Sequence, residues 1–266
     1  MRVAVNGTHL QVRIDGRDGA PWLVLAHSIG TGLEIFDGQI AAFGRDYRIL
    51  RYDARGHGQS DAPVGPYTTD LLADDFRGLL AHFGVSRAHI VGVSIGGLTA
   101  IAAALRHESA VASIVVSNSR TAVPPDYATA IAARNRLIRA EGMAAIVPSM
   151  LKVSLSSETI AAQPELAERF EKIVRAVSVE GFAACAEAVG NNRLGEQLGE
   201  IRVPSLFIAA EADAAFPPSA VRDEQLLVPG SEFVQIPGAG HLSNLNRPEE
   251  FNATVLDFLA RVTAGR

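Results

Sequence analysis

Cysteine is nearly absent from this sequence of 266 residues, which contains only Cys185. One cysteine can form neither a disulfide within the chain nor a cysteine-rich metal site. The dinucleotide-binding glycine fingerprint and the H-E-x-x-H zinc motif are missing as well. We therefore expect a protein that uses no cofactor and no metal.

An excess of positive charge and long apolar runs are also missing. The chain has 24 Lys and Arg against 29 Asp and Glu, a net charge of −5, which does not favour binding to nucleic acid or anionic membranes. The longest apolar stretch, residues 98–105, is too short to span a bilayer. The N-terminal residues alternate in polarity, unlike the apolar core of a signal peptide. We expect a cytoplasmic protein with a small-molecule substrate, and the sequence does not indicate an oligomeric state.

The chain does have a regular alternation of apolar runs and helical patterns. Asn6-Gly7 lies between two short runs of alternating polarity and predicts a β-hairpin. Later apolar runs are continuous, which is typical of a mostly parallel sheet with helices on both faces. The predicted strands are 22–26, 48–52, 88–93, 112–116, 204–209 and 233–236. The sequence therefore predicts an α/β fold, with a last helix at 248–262.

Residues 120–193 break this rhythm. They contain no convincing strand, and AIAARNRLIRA and PELAERFEKIVRAV predict amphipathic helices. A helical insertion that leaves the C-terminal edge of a parallel sheet covers the place where α/β proteins bind ligands. We therefore expect a core of residues 1–119 and 194–266 and a helical lid of residues 120–193.

One serine stands between two glycines in GVSIG, residues 92–96, after a predicted strand and before a predicted helix. Such a turn places Ser94 at the C-terminal edge of the sheet with strained backbone dihedrals, and the glycines let strand and helix approach. The backbone N–H of Ile95 points to where a negative oxygen would develop during attack on a carbonyl. We interpret Ser94 as a nucleophile; the alternative is a serine that merely caps the helix.

A nucleophilic serine needs a general base. Of the seven histidines, His241 lies in a glycine-rich loop after the last strand, at the same edge as the serine, and is the predicted base. His27 and His57 lie near that edge too, where we predict loop-shaping hydrogen bonds. His89 and His107 lie at the other end of their elements and are predicted to be surface or capping residues.

The base in turn needs an orienting carboxylate. Asp213 follows the strand PSLFIAA at the C-terminal edge, and Glu211 is its competitor two residues away. The alternative location, after the strand that ends at Val116, reads Ser117-Asn118 and offers no carboxylate. The chain order serine, Asp213, His241 is the one expected for this fold.

A second oxyanion donor is expected in the loop HSIGTG, residues 27–32, where a glycine-spaced turn can aim a backbone N–H at the same point. Ile29 is the candidate, together with Ile95. An ordinary strand–helix connection is the alternative interpretation of this loop.

These motifs together resemble the α/β-hydrolase family: GVSIGG, HSIGTG, RYDARGHGQSDAP, AEAD and GAGHLSNLNRPEEF. Within it the chain is similar to the 3-oxoadipate enol-lactonases of aromatic degradation. That similarity is carried by LRYDARGHGQSDAPVGPYT, by the lid segments IRAEGMAAIVPSML and QPELAERFEKIVRAVSVEGFAACAEAV, and by HLSN. The resemblance implies hydrolysis of a small lactone through an acyl-enzyme. Its substrate carries a carboxylate, for which Arg120 and Arg134 are the candidate partners.

Two departures leave the substrate open. Such lactonases tend to have Asn-Thr-Ala-Ala after the sixth strand, where this chain has NSRT at 118–121, and they tend to have a lid tryptophan, whereas the single tryptophan here is Trp22. The same three catalytic groups also serve carboxylesterases, other lactonases and C–C bond hydrolases. A hydrolase-like receptor that binds a small molecule without turnover is the alternative from another class.

Overall fold

The structure is a computed structural model that describes residues 1–122 and 126–264. Within them, eight strands form one sheet: β1 (Arg2–Val5), β2 (Thr8–Gly16), β3 (Trp22–Ala26), β4 (Arg48–Tyr52), β5 (Ala88–Val93), β6 (Val111–Ser117), β7 (Ser205–Ala210) and β8 (Glu232–Ile236). Their order across the sheet is β1-β2-β4-β3-β5-β6-β7-β8. The strands β3 to β8 pair in parallel, whereas β1 and β2 form an antiparallel edge. The predicted mostly parallel sheet is confirmed.

The antiparallel edge begins with the predicted hairpin. Asn6 and Gly7 both have positive φ, at 44° and 73°, which is the requirement of the two-residue turn that best matches the twist of paired strands. The hairpin pairs with β4 through β2, so the N-terminal segment closes one side of the sheet.

Eleven α-helices lie among the described residues: α1 (Asp37–Phe43), α2 (Thr69–His82), α3 (Ile95–Arg106), α4 (Tyr127–Glu141), α5 (Val147–Ser154), α6 (Ser157–Ala162), α7 (Pro164–Ala176), α8 (Val179–Gly190), α9 (Pro218–Gln225), α10 (Ser243–Asn246) and α11 (Pro248–Ala264). None of them is both long and apolar enough to cross a membrane. Helix α2 is not among the predicted elements, although Thr68 marks its start by accepting a hydrogen bond from the Leu71 N–H.

Two apolar cores lie on the two faces of the sheet. Val24 and Ala26 of β3 belong to one core, together with residues of α2, α3 and α9. Leu23 and Leu25 of the same strand belong to the other, together with α1 and α11. Because successive strand side chains point to opposite faces, both faces of β3 are covered, which explains its continuous apolar sequence.

Among the residues that the structure describes, the chain between β6 and β7 contains helices and connecting loops but no strand. The predicted helices there correspond to α4 and α7, and α5, α6 and α8 lie between and after them. Phe170 and Phe182 of this region are buried in the core that contains α1 and α11. This insertion therefore packs onto the body of the protein on that side.

Candidate active site

The serine turn is built as tightly as the glycine pattern predicts. Ser94 connects β5 to α3 with φ 57° and ψ −118°, a region that a non-glycine residue rarely adopts. A methyl group on Gly92 would overlap the carbonyl of Gly96, and one on Gly96 would overlap the carbonyl of Ala26. Only glycine at both positions allows strand and helix to pass this closely, and the turn leaves Ser94 8% exposed at the edge of the sheet.

Asp213 and His241 are in direct contact. Nδ1 of His241 lies 2.8 Å from Oδ2 of Asp213, and both side chains are buried. The other carboxylate oxygen accepts hydrogen bonds from the N–H groups of Ala215 and Phe216. Burial acts to raise the pKa of the Asp213 carboxyl, but the hydrogen bonds from His241 and its neighbours outweigh it, and the pKa lies below its ordinary value.

Glu211, the competing acid, has a different role in the structure. Its Oε2 accepts a hydrogen bond from the Gly238 N–H at 2.9 Å, and Glu211 is exposed. The contact joins the ends of β7 and β8 at a distance from the imidazole. The geometry therefore favours Asp213 over Glu211 as the partner of His241.

Asn118 is a site residue that the sequence reasoning missed. It follows β6 with φ 49°, and its Nδ2 donates to Oδ2 of Asp213 at 3.1 Å. Its Oδ1 accepts from the hydroxyls of Ser117 and Ser243. The residues after β6 include no carboxylate, so the sequence gives no sign that the Asn118 amide binds the carboxylate of Asp213 after the neighbouring strand β7.

The serine and the histidine are linked through neighbouring strands. The backbone N–H of Ser94 donates to the Ser117 carbonyl at 2.9 Å, and the next residue, Asn118, bonds to Asp213. Within residues 1–122 and 126–264, Ser94 Oγ has no hydrogen-bond partner. The structure therefore brings the three groups to one edge of the sheet but does not join Ser94 Oγ to His241 by a hydrogen bond.

The two predicted oxyanion donors have unoccupied N–H groups. In the described part of the chain, neither the Ile29 nor the Ile95 N–H takes part in a hydrogen bond. Ile95 is the first residue of α3, where helix N–H groups have no partner within the helix. Both N–H groups are thus available to an oxygen bound at this edge.

His27 and His57 brace the loop that carries Ile29, as predicted. Nε2 of His57 accepts a hydrogen bond from the Gly30 N–H at 3.0 Å, and Nε2 of His27 accepts one from the Ala54 N–H at 2.8 Å. Their Nδ1 atoms face the carbonyls of Arg55 and Ser28. Each ring thus accepts on Nε2 and donates from Nδ1, which requires the neutral form.

Burial keeps these two rings neutral. It lowers the pKa of His27 to about 4 and, together with the neighbouring His27, that of His57 to about 3. His89 is also buried, with Nδ1 2.7 Å from the Ser113 hydroxyl, so the prediction of a surface or capping position was wrong for it. A polar strand side chain can be buried when a neighbouring strand supplies its partner. His107 does cap α3 and pairs with Asp74.

The two candidate substrate-binding arginines differ in their surroundings. Arg120 Nε is buried without a hydrogen-bond partner in the described structure, but it lies 3.9 Å from Oε1 of Glu224, so an ion pair already compensates its charge. Arg134, on α4, has its guanidinium carbon 4.9 Å from the centre of the Phe182 ring, and its buried Nε has no partner in the described structure. Burial lowers the pKa of Arg134, with an opposing contribution from Tyr127.

Among residues 1–122 and 126–264, no three His, Cys, Asp or Glu side chains are grouped so that they could hold a metal ion. The buried thiol of Cys185 lies near His57 and the Arg55 carbonyl, and burial raises its pKa to about 12. This thiol is therefore protonated and unreactive at neutral pH.

Comparison with known proteins gives a consistent family. The profile of the alpha/beta hydrolase fold matches residues 21–248. The chain is 34% identical to 3-oxoadipate enol-lactonase 2 of Acinetobacter baylyi over 242 residues, 90% of this chain and 89% of that protein. It is 29% identical to a putative carbamate hydrolase, RutD, of Klebsiella pneumoniae, covering 91% of this chain and 92% of the relative. The crystal structure of the enol-lactonase from Burkholderia xenovorans LB400 superposes with a TM-score of 0.94 at 35% identity, covering 98% and 100% of the two chains. The chain belongs to the α/β-hydrolase family.

Proposed function

We propose that this protein is a serine hydrolase that opens a small lactone bearing a carboxylate, with 3-oxoadipate enol-lactone as the substrate. One observation carries the chemistry: Asp213 holds Nδ1 of His241 at the same sheet edge as the strained turn of Ser94. Nε2 is then the nitrogen left to accept a proton. The similarity to enol-lactonases supports the choice of substrate.

In the proposed reaction, Nε2 of His241 accepts the proton of Ser94 Oγ as this oxygen attacks the lactone carbonyl carbon. The carbonyl oxygen becomes negative and is stabilised by the N–H groups of Ile29 and Ile95. The ring C–O bond breaks, and the enolate that leaves takes the proton from His241, while the acyl part stays bound to Ser94 as an ester. Asp213 stabilises the imidazolium that forms between these steps.

The second half of the reaction uses water. His241 removes a proton from a water molecule, whose oxygen attacks the ester carbon under the same two N–H groups. The ester C–O bond breaks, the proton returns to Ser94 Oγ, and the diacid is released. An enolate is a good leaving group, so the first half needs less acid catalysis than an alkyl ester does.

We also propose that Arg134 binds the substrate carboxylate. The side chain of Arg134 is half-buried, and its buried Nε has no hydrogen-bond partner in the described structure, which is costly and which a carboxylate ligand would satisfy. The residue lies near the reaction centre, because the Phe182 ring that it stacks on reaches within 3.0 Å of the position that a Gly30 Cβ would occupy. Arg120 is the weaker candidate because Glu224 already faces it.

A reducing compartment suits this chain, and we propose a cytoplasmic location. Its single thiol is buried, and without a second cysteine the chain gains nothing from an oxidising environment. Fractionation of cells that express the untagged protein would test this.

The decisive experiment compares hydrolysis of 3-oxoadipate enol-lactone with that of 4-nitrophenyl acetate, which carries no carboxylate. We expect the lactone to have the far higher kcat/KM and Ser94→Ala to abolish both activities. Arg134→Gln should raise KM for the lactone by about 10- to 100-fold, the loss expected for a charged hydrogen bond, and leave the acetate unaffected. Arg136→Gln, on the exposed face of the same helix, is the matched control and should change neither.

Other outcomes point to the alternatives. Cleavage of the acetate but not of the lactone would retain the catalytic groups and favour a carboxylesterase. An equal effect of Arg134→Gln on both substrates would contradict the role of that residue in carboxylate binding. No hydrolysis of either substrate by the native protein would favour a receptor.

A further inference from the structure

The end of the lid helix α5 is capped by the loop that carries His241. The last carbonyls of a helix have no partner within the helix. Here the His241 N–H donates to the Val153 carbonyl at 3.2 Å, and the Leu242 N–H donates to the Ser154 carbonyl at 3.0 Å. The backbone of the predicted base is therefore bound to the lid.

The side chain of Asn246 adds further hydrogen bonds between the end of α5 and the loop that carries His241. Its Nδ2 donates to the carbonyls of Ser154 and Leu242 at 2.9 and 2.7 Å, and its Oδ1 accepts from the Ser156 N–H at 2.7 Å. The residue is buried. The Asn246 side chain thus makes two hydrogen bonds to the lid and one to the loop that carries His241. Because the residue is buried, water cannot replace these hydrogen bonds if the side chain is removed.

Helix α5 also contacts the loop of residues 27–32, the oxyanion loop, which carries Ile29. Met150 Cε of α5 lies 2.9 Å from the position that a Cβ on Gly30 would occupy. Gly240, next to the histidine, is packed closely as well, because a Cβ there would lie 3.0 Å from the Ser156 nitrogen. Residues 150–156 therefore contact both loops that the reaction uses.

We propose that Asn246 is a positioning residue that couples the docked lid to the alignment of His241. This inference rests on the proposed function in taking His241 as the base. The loop between β8 and α11 contains only the short helix α10, and the backbone N–H groups of His241 and Leu242 within it are held by α5. Loss of Asn246 therefore affects proton transfer for every substrate, charged or not, because it displaces the imidazole and leaves Arg134 in position.

The test is the rate at which a fluorophosphonate labels Ser94, measured by intact mass, because this reaction needs an aligned base but no turnover of a particular substrate. Asn246→Ala and the isosteric Asn246→Asp, which keeps the acceptor for Ser156 but loses both donors, should each label about 10- to 100-fold more slowly, the effect of misplacing a catalytic group by about 1 Å. Asn252→Ala is the control, since its side-chain amide also joins two segments, α11 and Gly38 on α1, but in the described structure makes no hydrogen bond to α5 or to the loop of residues 237–247.

Two further measurements separate positioning from general destabilisation. Hydrogen exchange at the amides of Ser156, His241 and Leu242 should be faster in both Asn246 variants than in the native protein, with the strands unchanged. For 4-nitrophenyl acetate, kcat should fall while KM stays within about threefold, because the displaced group acts on the chemistry.

The outcomes are distinct. Equal labelling rates in the native protein and in either Asn246 variant overturn the inference, as does a change confined to KM. If Asn246→Ala does not fold, the labelling rate of the isosteric Asn246→Asp variant tests the inference alone. If the native protein is not labelled at Ser94, the proposed function itself is contradicted. In that case hydrogen exchange still tests the inference, because unchanged exchange at the amides of Ser156, His241 and Leu242 in the Asn246 variants would overturn the coupling between lid and histidine.

Discussion

Acidification should destabilise this protein through His27 and His57, the two histidines that hold the loop of residues 27–32. His27 and His57 are neutral in the folded state, with pKa values lowered from 6.5 to about 4 and about 3. The unfolded chain therefore binds more protons than the folded one at mildly acidic pH. The stabilisation is complete above pH 6.5 and is lost progressively as the pH falls toward the folded-state values.

The magnitude follows from the linkage between protonation and unfolding. Between pH 8 and pH 5, each histidine lowers the free energy of unfolding by about 2 kcal/mol, or about 4 kcal/mol for both. This is a large part of the stability of an ordinary domain. The buried carboxyl of Asp53, whose pKa is raised by burial, acts in the opposite direction and reduces the net change.

The assay is urea unfolding of the native protein and of His57→Gln at both pH values. Glutamine can accept the Gly30 hydrogen bond through Oε1 but cannot titrate, so its loss of stability between pH 8 and pH 5 should be smaller by about 2 kcal/mol. His82→Gln, at an exposed position, should follow the native protein. An equal loss of stability in His57→Gln and in the native protein would contradict the assignment of this pH dependence to His57.

Two further predictions concern the serine turn and the choice of acid. Gly96→Ala should lower the free energy of unfolding by about 3 kcal/mol or more, because the added methyl group would overlap a backbone carbonyl. Gly199→Ala is the control and should be near neutral, because no atom lies closer than 3.8 Å to the added methyl group. Urea unfolding measures both. Asp213→Asn should lower kcat by about 10⁴-fold and Glu211→Gln by less than about threefold, and equal losses would contradict the assignment of the acid.

Local sequence patterns predict much of the fold. The continuous apolar strands, the Asn-Gly hairpin and the helix after GVSIG are determined by neighbours within a few residues, and they lie within one or two residues of the predicted positions. The order of Ser94, Asp213 and His241 could be predicted for the same reason: each follows a strand, and the carboxyl ends of parallel strands share one edge.

Features that depend on distant partners could not be predicted in this way. Arg120 and Arg134 look alike in the sequence, and only the packing of Glu224 against the loop after β6 distinguishes them. His89 looks like a surface residue until Ser113 of the next strand becomes its hydrogen-bond partner.

Three asparagines show what such distant contacts do for the site. Asn118 binds Asp213, Asn246 binds the end of α5, and Asn244 donates to the Ile35 carbonyl at 2.8 Å. Asn244 and Asn246 bond to backbone groups of other segments, and Asn118 bonds to a side-chain carboxylate. In a sequence, an asparagine indicates no more than a turn. All three are buried, and we expect them to hold Asp213 and the loop of His241 in place whatever the acyl substrate. We therefore expect specificity to arise instead where Arg134 of α4 lies over the ring of Phe182 of α8.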